Sequence, residues 1–294
     1  MFRTIRRILP VVGLLAAAAT VEAQTVTAYA LSTNALGMQQ LVRFNPNAPG
    51  TVTTVGNTGV NLTDIDFRPM TNVLHGYDGN RLYTIDINSG VATFIFDVEN
   101  TSGMHGIDFN PVVDRLRIVD FTGNNYRVNQ IVGGTTIDGA HVFAMGDVNF
   151  GRTPRLTSVA YMNSDNDPAT GTMLFAIDPT LGQLIRLDNP NGGAISTVGT
   201  GLGIGSIASV TGFDIFGPSN LAYFSAILTG SVTNNLYSLD LTTGAARLVG
   251  GIPGNRVTGL ALTAVPEPGT WALMVTGLIG LGGIARRRRQ QQQS

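Results

Sequence analysis

Between residues 24 and 264 apolar and polar positions alternate in short runs, each broken by Gly, Asn or Asp. A period of two sends successive side chains to opposite faces of an extended chain, so the pattern predicts β-strands joined by tight turns. No stretch of this region reads as a helix. One phrase recurs. Leu82-Tyr83-Thr84-Ile85-Asp86 with Gly90 returns as Leu174-Phe175-Ala176-Ile177-Asp178 with Gly182, and as Leu236-Tyr237-Ser238-Leu239-Asp240 with Gly244. Leu41-Val42-Arg43-Phe44-Asn45 with Gly50 and Asn125-Tyr126-Arg127-Val128-Asn129 with Gly133 are weaker copies. Each reads as a strand ending in Asp or Asn, whose side chain bonds the turn backbone, with glycine supplying a positive φ. The copies are spaced by 41, 43, 49 and 62 residues, the period of a four-stranded propeller blade.

A second phrase precedes most copies by about twenty residues: Asp64-Ile65-Asp66-Phe67, Gly106-Ile107-Asp108-Phe109, Ser158-Val159-Ala160-Tyr161 and Gly212-Phe213-Asp214-Ile215. The first copy of the repeat lacks it, and a spare one, Val257-Thr258-Gly259-Leu260-Ala261-Leu262, stands at the far end. A late strand that completes the first blade closes a ring and hides two sheet edges. The expected fold is therefore all-β, a five-bladed β-propeller with Velcro closure by the C-terminal strand; an irregular β-sandwich is the alternative. Residues 189–209, rich in Gly and Ser, read as an insertion that lengthens the last interval. Gly203-Ile204-Gly205-Ser206-Ile207-Ala208 superficially matches a dinucleotide fingerprint but lacks the βαβ frame that would cradle a phosphate.

Two targeting segments flank the domain. Arg3, Arg6 and Arg7 precede an apolar run over residues 8–19, and Val21-Glu22-Ala23 offers a small-x-small cleavage site, which divides the chain into a signal peptide at 1–23 and a propeller-like domain at 24–264. In residues 265–294, Pro266-Glu267-Pro268 leads into an apolar run and then Arg286, Arg287, Arg288 and Arg289. As a helix, residues 269–285 would span roughly 25 Å, slightly short of a bilayer core, and five glycines weaken them as a permanent anchor. The arginine cluster would stay cytoplasmic and leave everything upstream outside. This order of elements resembles the PEP-CTERM sorting signal of Gram-negative bacteria. The resemblance implies an exported envelope or extracellular protein, held transiently in the inner membrane by its C-terminal helix. It further implies cleavage near the triplet by an exosortase-type membrane protease, in bacteria that make extracellular polysaccharide.

The chain has no cysteine, so export brings no disulfides and stability rests on packing. Residues 24–264 hold eleven arginines, no lysine and seventeen acidic residues. An acidic, lysine-free surface argues against nucleic acid or anionic lipid as a partner.

Ile107-Asp108-Phe109-Asn110-Pro111, Asp114-Arg115-Leu116-Arg117 and Gly123-Asn124-Asn125-Tyr126-Arg127 resemble the signature of an exported bacterial family whose domain has no assigned function. The likeness covers most of the mature chain and brings no catalytic residues with it. Asp66, Asp108 and Asp214 hold equivalent places in three blades on the strand expected nearest the axis. They read as structural carboxylates bonded to a neighbouring blade, as ligand or ion binders, or as the acid and base of a five-bladed glycosidase. Arg115 and Arg117 share a strand face, with Tyr126 and Arg127 on the next strand. They read as an inter-blade network with Asp108, Asp114 or Asp120, or as a grip on an acidic sugar. Asp165 and Asp167 have the alternate spacing of a calcium loop without its closing Glu, so a solvated Asx turn is the plainer reading and calcium the only cofactor in view. His75, His105 and His141 lack metal-ligand spacing, and no Gly-x-Ser-x-Gly elbow is present. Two functions fit: a non-enzymatic binding module for polysaccharide or a surface protein, and a polysaccharide hydrolase or lyase using channel carboxylates.

Overall fold

The computed structural model describes residues 26–98, 105–129, 131, 133–217 and 219–264. Twenty-one strands run in chain order: β1 (Val26–Thr33), β2 (Gln39–Phe44), β3 (Val52–Asn57), β4 (Asp64–Arg68), β5 (Val73–Tyr77), β6 (Arg81–Ile85), β7 (Ala92–Asp97), β8 (His105–Asn110), β9 (Arg115–Asp120), β10 (Asn125–Val128), β11 (Thr135–Ile137), β12 (Val142–Phe143), β13 (Ser158–Tyr161), β14 (Leu174–Asp178), β15 (Gln183–Asn189), β16 (Ala194–Val198), β17 (Ile207–Phe216), β18 (Leu221–Leu228), β19 (Asn234–Leu239), β20 (Ala246–Ile252) and β21 (Asn255–Ala264). A single 3-10 turn, Pro168–Thr170, is the helical content among the described residues.

The strands form five sheets, ordered β21-β1-β2-β3, β4-β5-β6-β7, β8-β9-β10-β11, β13-β14-β15-β16-β12 and β17-β18-β19-β20. Their first strands pack around one axis in the cycle β21, β4, β8, β13, β17 and back to β21, which makes the fold a five-bladed β-propeller. The closing strand is the spare phrase: β21 pairs antiparallel with β1, from Val26 opposite Ala264 to Thr33 opposite Asn255. The inner side of β1, which would otherwise be an edge, is thereby paired, and β21 takes its place as the first strand of the blade.

Apolar residues fill the seams between blades. In β1, Ala28 and Ala30 point into a cluster with Phe216, Tyr223 and Leu236 of the last blade, while Tyr29 and Leu31 point the other way, onto Ile65, Phe67 and Tyr83 of the second. Three further clusters fill the remaining seams. Because each sheet is covered on both faces, its inner strands are buried along their whole length rather than on alternate residues.

The repeat needs one correction. In four blades the recurring phrase is the third strand (β2, β6, β10, β19), but Leu174–Asp178 is the second strand of the fourth blade. Its true counterpart is β15, which ends at Asn189 before a turn containing Gly193. Residues 189–209 are accordingly not an insertion, since they carry that turn, the outer strand β16 and the crossover to β17. The confusion has a physical cause. Asp178 accepts from the Thr180 and Leu181 amides just as Asp86 accepts from Asn88 and Ser89, and an Asx turn closes either hairpin of a blade equally well. The extra length lies upstream, where residues 139–157 add β12 as a parallel fifth strand beside β16.

Near the axis the backbones of adjacent blades touch. A Cβ at Gly106 would lie 2.5 Å from Ser158 Cα, and one at Gly212 would lie 2.6 Å from the carbonyl carbon of Gly259. Gly106→Ala should therefore lower unfolding stability by about 1–3 kcal/mol in denaturant titration, while Gly50→Ala, which faces open space, should be near neutral. Deleting residues 257–264 should convert the monomer peak in size exclusion to aggregate by unpairing β1 and uncovering the inner face of the first blade; a deletion variant that stayed monomeric and melted normally would refute ring closure as the stabilising device.

Candidate functional site

Two layers of side chains from the first strands of the blades line the axis. One layer is Asp66, Asp108, Ala160, Asp214 and Ala261; the other, two residues earlier on each strand, is Asp64, Gly106, Ser158, Gly212 and Gly259. A first strand is a sheet edge, so the amides it turns away from its own sheet lack a ladder partner. The carboxylates supply one from across the seam. Asp64 Oδ2 accepts from the Ile107 amide at 2.9 Å, Asp66 Oδ2 from Phe109 at 2.7 Å and Asp214 Oδ2 from Leu262 at 2.5 Å. The Tyr161 amide of the fourth blade lies beside Asp108 and favours its charged form. Asp64 and Asp214 also accept from the amides of their own following residues, Ile65 and Ile215.

Burial sets the electrostatics. Asp64, Asp66, Asp108 and Asp214 are each no more than 5% exposed. Desolvation pushes Asp64 up to about 8 and Asp214 up to about 7, the amide bonds to Ile107 and Leu262 offsetting part of the rise. Desolvation again, then mutual carboxylate repulsion, holds Asp66 and Asp108 well above the ordinary range. One carboxylate oxygen from each of Asp66, Asp108 and Asp214 lies within 4.8 Å of the others. Asp108 Oδ1 is buried without a hydrogen-bond partner. Asp64 was overlooked as a site residue in the sequence, although its place two residues before Asp66 put it on the same strand face.

The arginine constellation divides. Asp108, Arg117 and Arg127 lie in one cross-strand row over β8, β9 and β10. Arg117 donates to Asp138 Oδ2 at 2.6 Å, Asn125 Oδ1 at 2.7 Å and, across the seam, Asn191 Oδ1 at 2.7 Å, while Arg127 binds the same Asp138 at 3.0 Å. Their partner is thus Asp138, not Asp108, Asp114 or Asp120; it comes from the segment after β11, which no strand pattern linked to β9. Asp114 pairs instead with Arg68 of the second blade, and Asp120 closes the turn at Thr122 and Asn124. Tyr126 does not join the arginines. Adjacent in sequence to Arg127, it faces the opposite side of β10 and packs with Ile107, Phe109 and Ile118. Arg115 donates only to the carbonyls of Val113 and Asp114, with no carboxylate partner among the described residues.

Arg115, Arg117 and Arg127 line a cleft of about 630 Å³ between the third and fourth blades, completed by Arg186, Asp188 and Asn191 among others. Arg186 was not visible as a candidate because its strand, β15, was out of phase in the repeat. Asp165 and Asp167 line neither place and serve the chain's own turn: Asp165 accepts from the Asp167 amide and Thr170 Oγ1, and Asp167 caps the 3-10 turn through the Ala169 amide. His75 and His141 are buried, which lowers both to about 4. The Gly203 stretch forms the crossover before β17.

A family model described as a domain of unknown function, DUF4394, matches residues 40–261, and the PEP-CTERM protein-sorting motif matches residues 264–289. No curated protein matches the chain. Solved structures that align with it include a nidogen/laminin complex (13% identity, 82% of this chain and 81% of that chain, TM-score 0.49). A putative 6-phosphogluconolactonase from Bacteroides uniformis aligns at 11% identity over 79% of this chain and 84% of that chain, with TM-score 0.45. A protein from Lactobacillus plantarum aligns at 13% identity over 82% of this chain and 100% of that chain, also with TM-score 0.45.

Raised carboxyl pKa values favour the native state at low pH. The native axis keeps protons that the unfolded chain releases above about pH 4, so this contribution is complete below that pH and is lost as pH rises through 7 to 8. Asp86 and Asp240, held low by turn amides, act oppositely and lose their contribution in acid. In metal-free buffer the melting temperature should peak near about pH 5 and fall toward about pH 8. Asp108→Asn, which removes a like charge and keeps an acceptor for Tyr161, should flatten that fall; an equally steep fall in the variant would exclude axial repulsion as its cause.

Proposed function

We infer function from one premise: the chain belongs to the DUF4394 family and carries a PEP-CTERM signal, the mark of an exported protein recognised by exosortase, a membrane protease. We propose that the mature protein is a non-enzymatic component of the cell envelope or extracellular matrix, and that its propeller binds acidic polysaccharide in the cleft between the third and fourth blades. The observation that carries this reading is the charge of the cleft. Four arginines, Arg115, Arg117, Arg127 and Arg186, converge there against two aspartates, Asp138 and Asp188, in a domain whose overall balance is strongly acidic. Arg115 presents a guanidinium with no carboxylate partner among the described residues, and planar, forked donors suit the carboxylate of a uronic acid. Asn191 and Asn189 stand beside it as neutral hydrogen-bonding groups for hydroxyls.

The hydrolase alternative draws less support. Its acid and base would be the axial carboxylates, which are buried, bonded across seams and clustered, whereas glycosidic cleavage needs two carboxyls flanking a bond that substrate can reach. In this reading residues 1–23 leave as a signal peptide, residues 24–264 are the working domain, and residues 265–294 hold the chain in the inner membrane until the tail is cut. The C-terminal run lies outside the described residues, among which no helix is long and apolar enough to cross a membrane.

Binding is tested by retention on the host's own acidic exopolysaccharide, with the size distribution of the polymer followed in parallel. We expect retention that weakens with salt, about tenfold or more loss in affinity for Arg115→Gln, and no shortening of the polymer. Polymer cleavage abolished by Asp66→Asn would overturn the reading in favour of the hydrolase. Mass spectrometry of the protein from native cells should find a C-terminus near Pro266; an intact Arg286-to-Ser294 tail on the mature protein would make it an ordinary anchor.

A further inference from the structure

We propose that the propeller axis is a binding site for one hard divalent cation, Ca²⁺ by fit, held by Asp66, Asp108 and Asp214. The three residues come from three separate blades, and the topology alone brings them together. One oxygen from each lies within 4.8 Å of the others. An ion with bonds of about 2.3–2.6 Å spans oxygens up to about 5 Å apart, whereas Mg²⁺, at about 2.0–2.1 Å, would draw them closer together. An all-carboxylate donor set with no Cys or His selects a hard ion over zinc or copper.

A second observation points to a ligand independently of the clustering. Asp108 is 2% exposed, and its Oδ1 has no hydrogen-bond partner. A buried carboxyl oxygen without a hydrogen-bond partner is unusual in a folded protein. The nearest candidate donor by register is Arg117, which stands opposite Asp108 on β9. Arg117 turns its terminal nitrogens the other way, to Asp138, Asn125 and Asn191. The protein thus places a cationic side chain beside Asp108 and spends it elsewhere, and among the described residues no donor reaches Asp108 Oδ1.

The surroundings are those of a built ligand set. Asp66 and Asp214 each anchor an oxygen on an amide of the next blade, which fixes the carboxylate plane while leaving lone pairs for a metal. Ala160 and Ala261 complete the layer with the smallest available side chains, which leaves room on the axis where two further carboxylates would crowd it. Asp64, one layer away, adds a fourth acidic group facing the same axis. A divalent ion would also join three of the five blades directly, a cross-link that the chain, lacking cysteine, has no covalent means to make. This inference is independent of the polysaccharide cleft, since no residue of the axial set lines it.

The test uses the whole chain, stripped with chelator, reloaded with CaCl₂, desalted, and analysed for bound metal by mass spectrometry alongside its melting temperature. We expect about one Ca²⁺ per chain and a melting temperature raised by Ca²⁺ at pH 7.5, with Mg²⁺ less effective. Asp108→Asn should weaken Ca²⁺ binding by more than the ~10–100-fold that loss of an outer-shell partner costs, and Asp165→Asn with Asp167→Asn should leave it unchanged. Wild-type protein that retains no metal and melts identically with and without Ca²⁺ would overturn the proposal and leave the carboxyls neutralised by protons; this measurement decides even if a variant fails to fold. Calcium lost from the Asp165/Asp167 variant but kept by Asp108→Asn would overturn it equally, by moving the ion to the surface turn.

Discussion

The fold depends on what happens to the amides of the five first strands. Arranging sheets around an axis hides their apolar faces against one another, but it also drives five sheet edges into a space too narrow for solvent. Every amide on such an edge needs an acceptor. Here the acceptors are carboxylates reaching across seams: Asp64 and Asp66 to the third blade and Asp214 to the first. The solution is local and directional, because each Asp both satisfies a neighbour's edge and fixes the rotation of one blade against the next. It also concentrates four acidic groups where water is scarce, and burial raises their carboxyl pKa values, a rise that the amide hydrogen bonds offset only in part.

The choice of residues in the other axial layer follows from the same crowding. Gly106 and Gly212 let backbones approach to distances at which a Cβ would collide, and Gly259 takes a positive φ of 64° against Ile65. Asp64 is tolerated among them because it lies along the axis and accepts two amides instead of pressing on the next strand. Only small residues and carboxylates occupy the two layers. Larger apolar groups are excluded from the axis and appear one residue later, as Ile65, Ile107, Val159, Phe213 and Leu260, where each turns into a seam.

This division explains what the sequence makes legible. Strand alternation, Asx turns and the orphan strand at residues 257–262 are local or simply countable, and from them the blade number and the ring closure follow. The strand phase within the fourth blade was not legible, because Asp178 and Asn189 both end strands with turn-forming side chains and nothing local distinguishes an inner hairpin from an outer one. The equivalence of Asp66, Asp108 and Asp214 was legible from their shared phrase, but their convergence within a few ångströms was not, since it depends on the ring radius. Partners drawn from loops were the least visible. Asp138 and Asn191 carry no periodic signal, and they reach Arg117 only because the third and fourth blades are adjacent.

The third blade also orders its charged groups from the axis outward. A single cross-strand row runs outward from Asp108 at the axis through Arg117 to Arg127. Along it, solvent access rises as commitment to the fold falls. Asp108 is sealed; Arg117 is 3% exposed at its side chain and bonded to three residues; Arg127 is 34% exposed and shares Asp138. Groups with strongly perturbed protonation sit at the inner end, where a polymer cannot reach them. At the outer end of the row the group that meets solvent is an arginine, which stays charged at any physiological pH and neither gives nor takes a proton. The proposed hold on an anionic chain rests on such permanent cations, which act by charge and by hydrogen-bond geometry.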